Sequence, residues 1–467
     1  MRSRVANDGY AMPNQERAME KGSVTRRGFL GAAGLAAGLA VVPRHAVAGT
    51  AETPPSDRIN IAGIGVGGMG GGDINAVAGG NNIVALCDVD LKRAEGNFKK
   101  FPSAKQYRDF RKMFDEMEKA IDAVTIGIPD HTHAVVAMAA IKRRKHVYCE
   151  KPLAHSVHEC RELMRAAKQY DVVTQLGNQG HSFETIRIFC EWVWDGAIGA
   201  VHTIHCGCAA VNSGLDRLEQ VRKERPPVPA HLDWDLWLGP AQERPYHPAY
   251  CPGAWRGWVP FGNGTVGDWT CHVVDPVFWA LDLGAPKTIQ AQVKNYDPKT
   301  QGDAFPKGEI ITYEFPAIAG KRGPITMLWH SGTEKIPRPK ELEPERKHYE
   351  TGAVVYGDKG VITYGSHGAG GVRIIPETAM KAYKLPEKKI PRVPGHHADW
   401  LTAIRTGKKA GSDFSYGAPL TEIAMLGVIA IKFPGLKLEW DAEKVRFTNC
   451  SEANQHLNPP YRAGWTL

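Results

Sequence analysis

Gly65-Val66-Gly67-Gly68-Met69-Gly70, Asp88, Lys151 and the pair Asp268/His272 are residues whose types and spacing could do chemistry together. Glycines spaced in this way permit a tight turn and let backbone N–H groups approach a pyrophosphate at a helix N-terminus. The register Gly63/Gly65/Gly68 has the same spacing, but a strand over 59–64 favours Gly65/Gly67/Gly70. Asp88 follows the apolar run 82–87 and stands 18 residues beyond Gly70, close to the offset of a ribose-binding acid. A carboxylate there accepts hydrogen bonds from ribose hydroxyls and repels a 2′-phosphate. Val89 and Asp90 supply no arginine to hold that phosphate, so NAD is expected rather than NADP. Asp268 and His272 are four residues apart and share one face if the segment is helical, with Pro276 kinking or dividing that helix. Spacing alone leaves His272 balanced between a buried structural histidine and a general base.

These residues need elements to hold them. Apolar runs at 59–64, 82–87, 123–128, 146–149 and 172–176 alternate with helical spacing at 131–143 and 156–170. Repeated βα units predict a doubly wound parallel sheet, with ligands at the carboxyl ends of its strands. Those ends carry Pro129-Asp130-His131-Thr132-His133, Glu150-Lys151-Pro152 and Gly177-Asn178-Gln179-Gly180-His181. Further strands are expected at 201–211, 309–315 and 324–330, with a hairpin over 353–364. Six of the twelve tryptophans fall within 234–279; flat rings there suit either loop packing or the apolar faces of sugars. His396 and His397 open an apparent helix and read as capping or packing residues.

Glycine loop, strand-end Asp88, Pro129-x-x-x-His133 and Glu150-Lys151-Pro152 together resemble the glucose-fructose oxidoreductase / inositol dehydrogenase / rhizopine-catabolism (Gfo/Idh/MocA) family. The resemblance implies an α/β chain: a Rossmann domain over 56–178, then a substrate-binding domain over 179–467 built on a mainly antiparallel sheet. It implies cofactor contacts from Gly65, Gly67, Gly68, Met69, Gly70, Asp88, Pro129, His133, Glu150, Lys151 and Asn178. Its D-x-x-x-H motif falls on Asp268 and His272. The expected activity is NAD-dependent oxidation of a sugar, cyclitol or related secondary alcohol. In that reading His272 is the base, Asp268 orients it or relays the proton, and Lys151 polarises the forming carbonyl oxygen. The alternatives are an NAD-using glycosidase working through a transient keto-sugar, and a non-catalytic sugar-binding protein.

The chain of 467 residues is 43% apolar and 23% charged, a globular rather than a disordered composition. Half of the net charge of +8 comes from residues 1–48, where seven Lys/Arg stand against three Asp/Glu. The weak basic excess of the remainder gives no argument for nucleic acid or a membrane surface. Nine scattered cysteines without a C-x-x-C read as neither a disulfide framework nor a metal site. Thr25-Arg26-Arg27-Gly28-Phe29-Leu30, a 14-residue apolar stretch to Val42, and Ala46-Val47-Ala48 resemble a twin-arginine export signal over 1–48. That resemblance implies a periplasmic protein, the twin-arginine machinery as a partner, and NAD held tightly inside a chain exported folded. A homo-oligomer is expected.

Overall fold

The computed structural model describes residues 57–467, and its strands form two sheets. The signal expected over 1–48 lies outside the described residues. The first sheet joins β1 (Asn60–Ile64), β2 (Asn82–Cys87), β3 (Lys105–Tyr107), β4 (Ala123–Ile126), β5 (His146–Glu150) and β6 (Thr174–Gly177) in the order β3-β2-β1-β4-β5-β6. Its recorded pairings are parallel. Crossovers include α1 (Gly68–Val77), α2 (Leu91–Lys100), α3 (Asp130–Lys142) and α4 (Val157–Tyr170). Strands covered on both faces must be apolar throughout, and β4 is buried over its whole length. Strand order reverses between β1 and β4, which opens a crevice beyond their carboxyl ends.

Side chains cap some of these helices. Asp90 accepts the Lys92 and Arg93 N–H groups at the start of α2 (3.1 and 3.2 Å). Ser156 accepts the Glu159 N–H at the start of α4 (3.2 Å). No side chain caps α1, so its N-terminus is bare glycine backbone, and its first N–H groups remain available to a ligand.

The second sheet contains β7 (Val201–Cys208), β8 (Thr288–Val293), β9 (Gly308–Phe315), β10 (Ile325–Gly332), β11 (Gly352–Gly357), β12 (Val361–Gly365), β13 (Arg373–Ile375), β14 (Leu438–Asp441) and β15 (Arg446–Phe447). Among the described residues β7 and β10 pair in parallel and the other pairings are antiparallel, so the sheet is mainly antiparallel. Before β8 come α5 (Gly264–Val273) and α6 (Asp275–Leu281). Pro276 divides them: it occupies the first turn of α6, where its missing N–H would have had no helical partner.

Two later helices return to the first domain. Trp400 and Leu401 of α7 (His396–Thr406) share a buried cluster with Ile59, Ile61, Leu86 and Tyr148. Helix α8 (Phe414–Ile431) packs against α4 and α5. By length and composition α8 could cross a membrane, but 78% of it is buried inside the protein, as in a core helix. Packing therefore crosses the sequence boundary at 178/179.

Candidate cofactor and catalytic site

The glycine loop turns on Gly65 (φ 73°) and Gly68 (φ 54°), in the left-handed region that glycine enters without strain. A Cβ on Gly70 would collide with the Gly65 carbonyl oxygen, so α1 can approach the turn this closely only with glycine there. Asp88 fastens the loop. Its Oδ2 accepts the Val66 and Gly67 N–H groups (2.9 and 3.2 Å), and its Oδ1 accepts the Asp90 N–H (2.9 Å). Burial pushes its pKa up against these three donors.

One cavity runs from this loop to Lys151. Gly65, Gly67, Met69, Asp88, Pro129, Glu150 and Lys151 line it; the expected contacts Gly68 and Gly70 are not among its lining residues. The glycine cradle and the strand-end carboxylate beside it fit a dinucleotide. Arg93 and Arg108 enter the same cavity. The residues directly after Asp88 supply no arginine, but Arg93 of α2 packs its Cβ against Gly67 and brings its Nη2 beside Gly68.

At the far end, Lys151 Nζ donates to Asp268 Oδ1 (2.5 Å) and to the Asp268 carbonyl oxygen (3.0 Å). Arg256 Nε donates to Asp268 Oδ1 (2.9 Å) and Asn212 Nδ2 to Oδ2 (3.1 Å). Burial raises the Asp268 pKa, but Lys151, Arg256 and the hydrogen bonds reverse this and hold it well below the carboxylate range. Asp268 was expected to orient His272 or relay its proton, but no hydrogen bond between the two side chains is recorded among the described residues. The two share a helix face, but Lys151, Arg256 and Asn212 occupy the carboxylate. Asp268 therefore positions Lys151, and Arg256 lines the cavity beside it.

His272 lies one turn further along α5, outside the lining of that cavity. Its ring stacks on His367 at 4.1 Å, and its Nδ1 is buried without a partner. Burial, followed by the nearby Lys151 charge, drives its pKa well below 6.5, so the imidazole is neutral at pH 7. His367 has a left-handed backbone (φ 56°) and donates its N–H to the His272 carbonyl oxygen (3.1 Å).

Two expected cofactor contacts are placed elsewhere. The His133 ring nitrogens meet the Pro152 and Ile128 carbonyl oxygens (2.7 and 2.8 Å), which ties the Lys151-Pro152 segment to the end of β4. Asn178 Nδ2 donates to Asp275 Oδ2 (3.1 Å), within a buried network that also holds His181 and Tyr416. Neither residue lines the cavity.

Asp130, which spacing did not single out, does line it. Its Oδ2 accepts Asn263 Nδ2 (2.9 Å), while Oδ1 is buried without a partner. Burial first, and the Asp268 charge in addition, push its pKa to about 7. Glu150 is also shifted upward, by burial and then by the charge of Asp73. Trp237 and Trp255 face the cavity, whereas Trp258 is fully buried among Tyr250 and Phe261, so much of the tryptophan-rich segment serves packing.

Residues 59–178 match the GFO/IDH/MocA model for the NAD-binding Rossmann fold of an oxidoreductase family, and residues 212–319 match its C-terminal alpha/beta domain. Among curated proteins, inositol 2-dehydrogenase of Salmonella typhimurium (strain LT2) is 32% identical over 110 residues, covering 23% of this chain and 32% of that protein. The 2,7-anhydro-N-acetylneuraminate hydratase of Escherichia coli (strain K12) is 30% identical over 87 residues, 19% of this chain and 23% of that protein. The matched stretches span about a third or less of these relatives' lengths. The inositol dehydrogenase homolog of Azotobacter vinelandii, solved with NADH and myo-inositol, superposes with a TM-score of 0.54 at 15% identity, covering 82% of this chain and 98% of that one. At that identity the likeness is one of fold.

Proposed function

We propose that this chain, which carries both domains of the GFO/IDH/MocA oxidoreductase family, oxidises a CH–OH group of a sugar, cyclitol or related secondary alcohol with NAD. The observation that carries the proposal is the single cavity joining the glycine loop to Lys151, which Asp268 clamps beside Arg256. NAD, when bound, supplies the hydride acceptor. The Lys151 ammonium donates to the substrate oxygen and stabilises charge that develops there. His272, kept neutral by burial, is given the hydroxyl proton on the D-x-x-x-H resemblance, although it lies one turn along α5 outside the lining of this cavity. Asp268 stays ionised and fixes where the ammonium points. Asp88 favours NAD over NADP through the ribose hydroxyls; Arg93 and Arg108 make that preference smaller than Asp88 alone would give. Incubating the purified protein with NAD and a panel of glycosides and cyclitols tests the proposal by mass spectrometry. A keto product supports oxidation, whereas an unchanged panel supports the non-catalytic reading.

A second reading, elimination through a transient keto-sugar, is favoured by the similarity to a relative named as a hydratase. A cleaved or dehydrated glycoside without net NADH would select it.

We further infer export through the twin-arginine route, with NAD retained in transit and recycled on the protein. The motif Arg26-Arg27-Gly28-Phe29-Leu30 motivates this, and the nine free, buried cysteines need no oxidising compartment to fold. NAD(H) released in near-stoichiometric amounts by heating protein purified from the periplasm supports the inference. Empty protein, or protein confined to the cytosol, opposes it. A homo-oligomer is proposed on the family resemblance and is tested by light scattering.

A further inference from the structure

The cofactor cavity has two ends. Lys151 stands at one, and Asp88, just beyond β2, marks the other, where the adenosine ribose of a dinucleotide lies. The Asp88 N–H donates to the Tyr107 carbonyl oxygen at the end of β3 (3.0 Å), so the residues that follow β3 enter the cavity beside Asp88. Phe110, which opens the helix Phe110–Met117, is one of them. Its ring centroid lies 6.2 Å from that of Trp465, and Trp465 also lines the cavity. The ring of Trp465 therefore stands at the Asp88 end, far along the sequence from the glycine loop.

The segment that carries Trp465 is pinned on both sides of it. Before the ring, Arg462 donates from Nε to the Gly239 carbonyl oxygen and from Nη1 to Asp235 Oδ1 (both 2.6 Å). Its backbone N–H donates to the Pro240 carbonyl oxygen (3.0 Å). After the ring, Lys142 Nζ, at the end of α3, donates to the Leu467 backbone oxygen (2.8 Å). The indole itself is held. The Arg111 guanidinium lies over it at 4.8 Å, and Arg111 is fixed in turn by Nε and Nη2 donating to Asp109 (3.0 and 2.8 Å). The Arg462 guanidinium lies 5.9 Å from the ring. Segment 461–467 thus runs from the loop at 235–240 to α3, and Trp465 meets the cavity between these anchors, with Val136 and Leu236 also in the lining. An anchored, half-buried aromatic ring beside apolar side chains and a ribose-binding acid suits a flat, uncharged base.

Resting on the reading of this cavity as an NAD site, we propose that Trp465 is a cofactor-binding residue that lies against the adenine and slows the release of NAD. Asp88 addresses the ribose, the glycine loop addresses the pyrophosphate, and the segment 461–467 supplies the wall that the base rests on.

The test uses the full chain with NAD, AMP and nicotinamide mononucleotide, the last two being the halves of the cofactor. Calorimetry reads binding, and stopped-flow fluorescence reads NADH release. Trp465→Ala should weaken NAD and AMP alike by about 5–100-fold, the range for losing one aromatic contact with a base. NADH release should quicken by a similar factor. Nicotinamide mononucleotide should bind this variant as it binds the wild type, and Trp465→Phe should recover most of the lost affinity for NAD and AMP. Normal NAD and AMP binding by Trp465→Ala would overturn the proposal. Equal losses for AMP and nicotinamide mononucleotide would also overturn it, because they would make Trp465 a support of the whole cavity rather than a contact for the base. Wild-type protein that binds neither NAD nor AMP would refute the cofactor reading itself, and this proposal with it.

Discussion

Replacing Asp268 by asparagine removes the charge that holds the Lys151 end of the cavity together while keeping its shape. The carboxylate receives Lys151 at 2.5 Å, Arg256 at 2.9 Å and Asn212 at 3.1 Å. The Lys151 and Asp268 side chains are 10% and 11% exposed, so solvent screens the pair weakly. Removing one partner of a buried pair costs about 3–5 kcal/mol. Arg256 is 33% exposed and can recover some hydration, which places the expected loss near the lower end, about 3 kcal/mol. Lys151→Met leaves Asp268 with Arg256 and Asn212 and should cost about 1–2 kcal/mol. In the double variant no uncompensated Lys151 remains, so the two losses should fall short of additivity by about 1–3 kcal/mol. Urea unfolding of the wild type, both single variants and the double variant, followed by tryptophan fluorescence, measures this cycle. Additivity within about 0.5 kcal/mol would refute the claim that Asp268 positions Lys151.

Three further outcomes follow from the same geometry. Lys151→Met and His272→Ala should retain NAD binding by fluorescence titration yet lose about 10²–10⁴-fold in turnover; near-normal rates in both would remove them from the reaction. Wild-type protein should bind NAD more tightly than NADP, and Asp88→Ala should narrow the gap; equal or tighter NADP binding by wild type would contradict the role given to Asp88. With Asp130 titrating at about 7, kcat/KM should decline above that pH as a second carboxylate competes for Lys151 and Arg256. Asp130→Asn should keep the acid-side rate and abolish the decline, and an unchanged pH profile would assign the titration to another group.

The first sheet was legible because parallel strands covered on both faces are rich in apolar residues, as at 123–126 and over 147–149. Strand β3 was not: its three residues carry exposed Lys105 and Gln106 at the sheet edge. The division at Pro276 followed from proline chemistry alone. Helical spacing brought Asp268 and His272 to one face but could not show what would claim the carboxylate, because Lys151 and Arg256 arrive from distant chain and a loop. His133 and Asn178 stand where cofactor contacts were expected, yet backbone carbonyls take both His133 ring nitrogens and Asp275 takes the Asn178 amide nitrogen, while Asn178 Oδ1 is buried without a partner. Asp130 gains its character from burial and an unpartnered oxygen, neither of which leaves a mark in spacing. His367 reaches His272 through a left-handed turn that no residue pattern signalled.

Hydride transfer from a substrate carbinol carbon to NAD is the central claim, and isotope transfer reads it directly. Purified protein would be incubated with NAD and a panel of sugars and cyclitols deuterated at their carbinol positions, and the cofactor analysed by mass spectrometry. The account predicts deuterium in the reduced nicotinamide together with a matching keto product, both lost in Lys151→Met. Substrate turnover with no deuterium ever reaching the cofactor would contradict it.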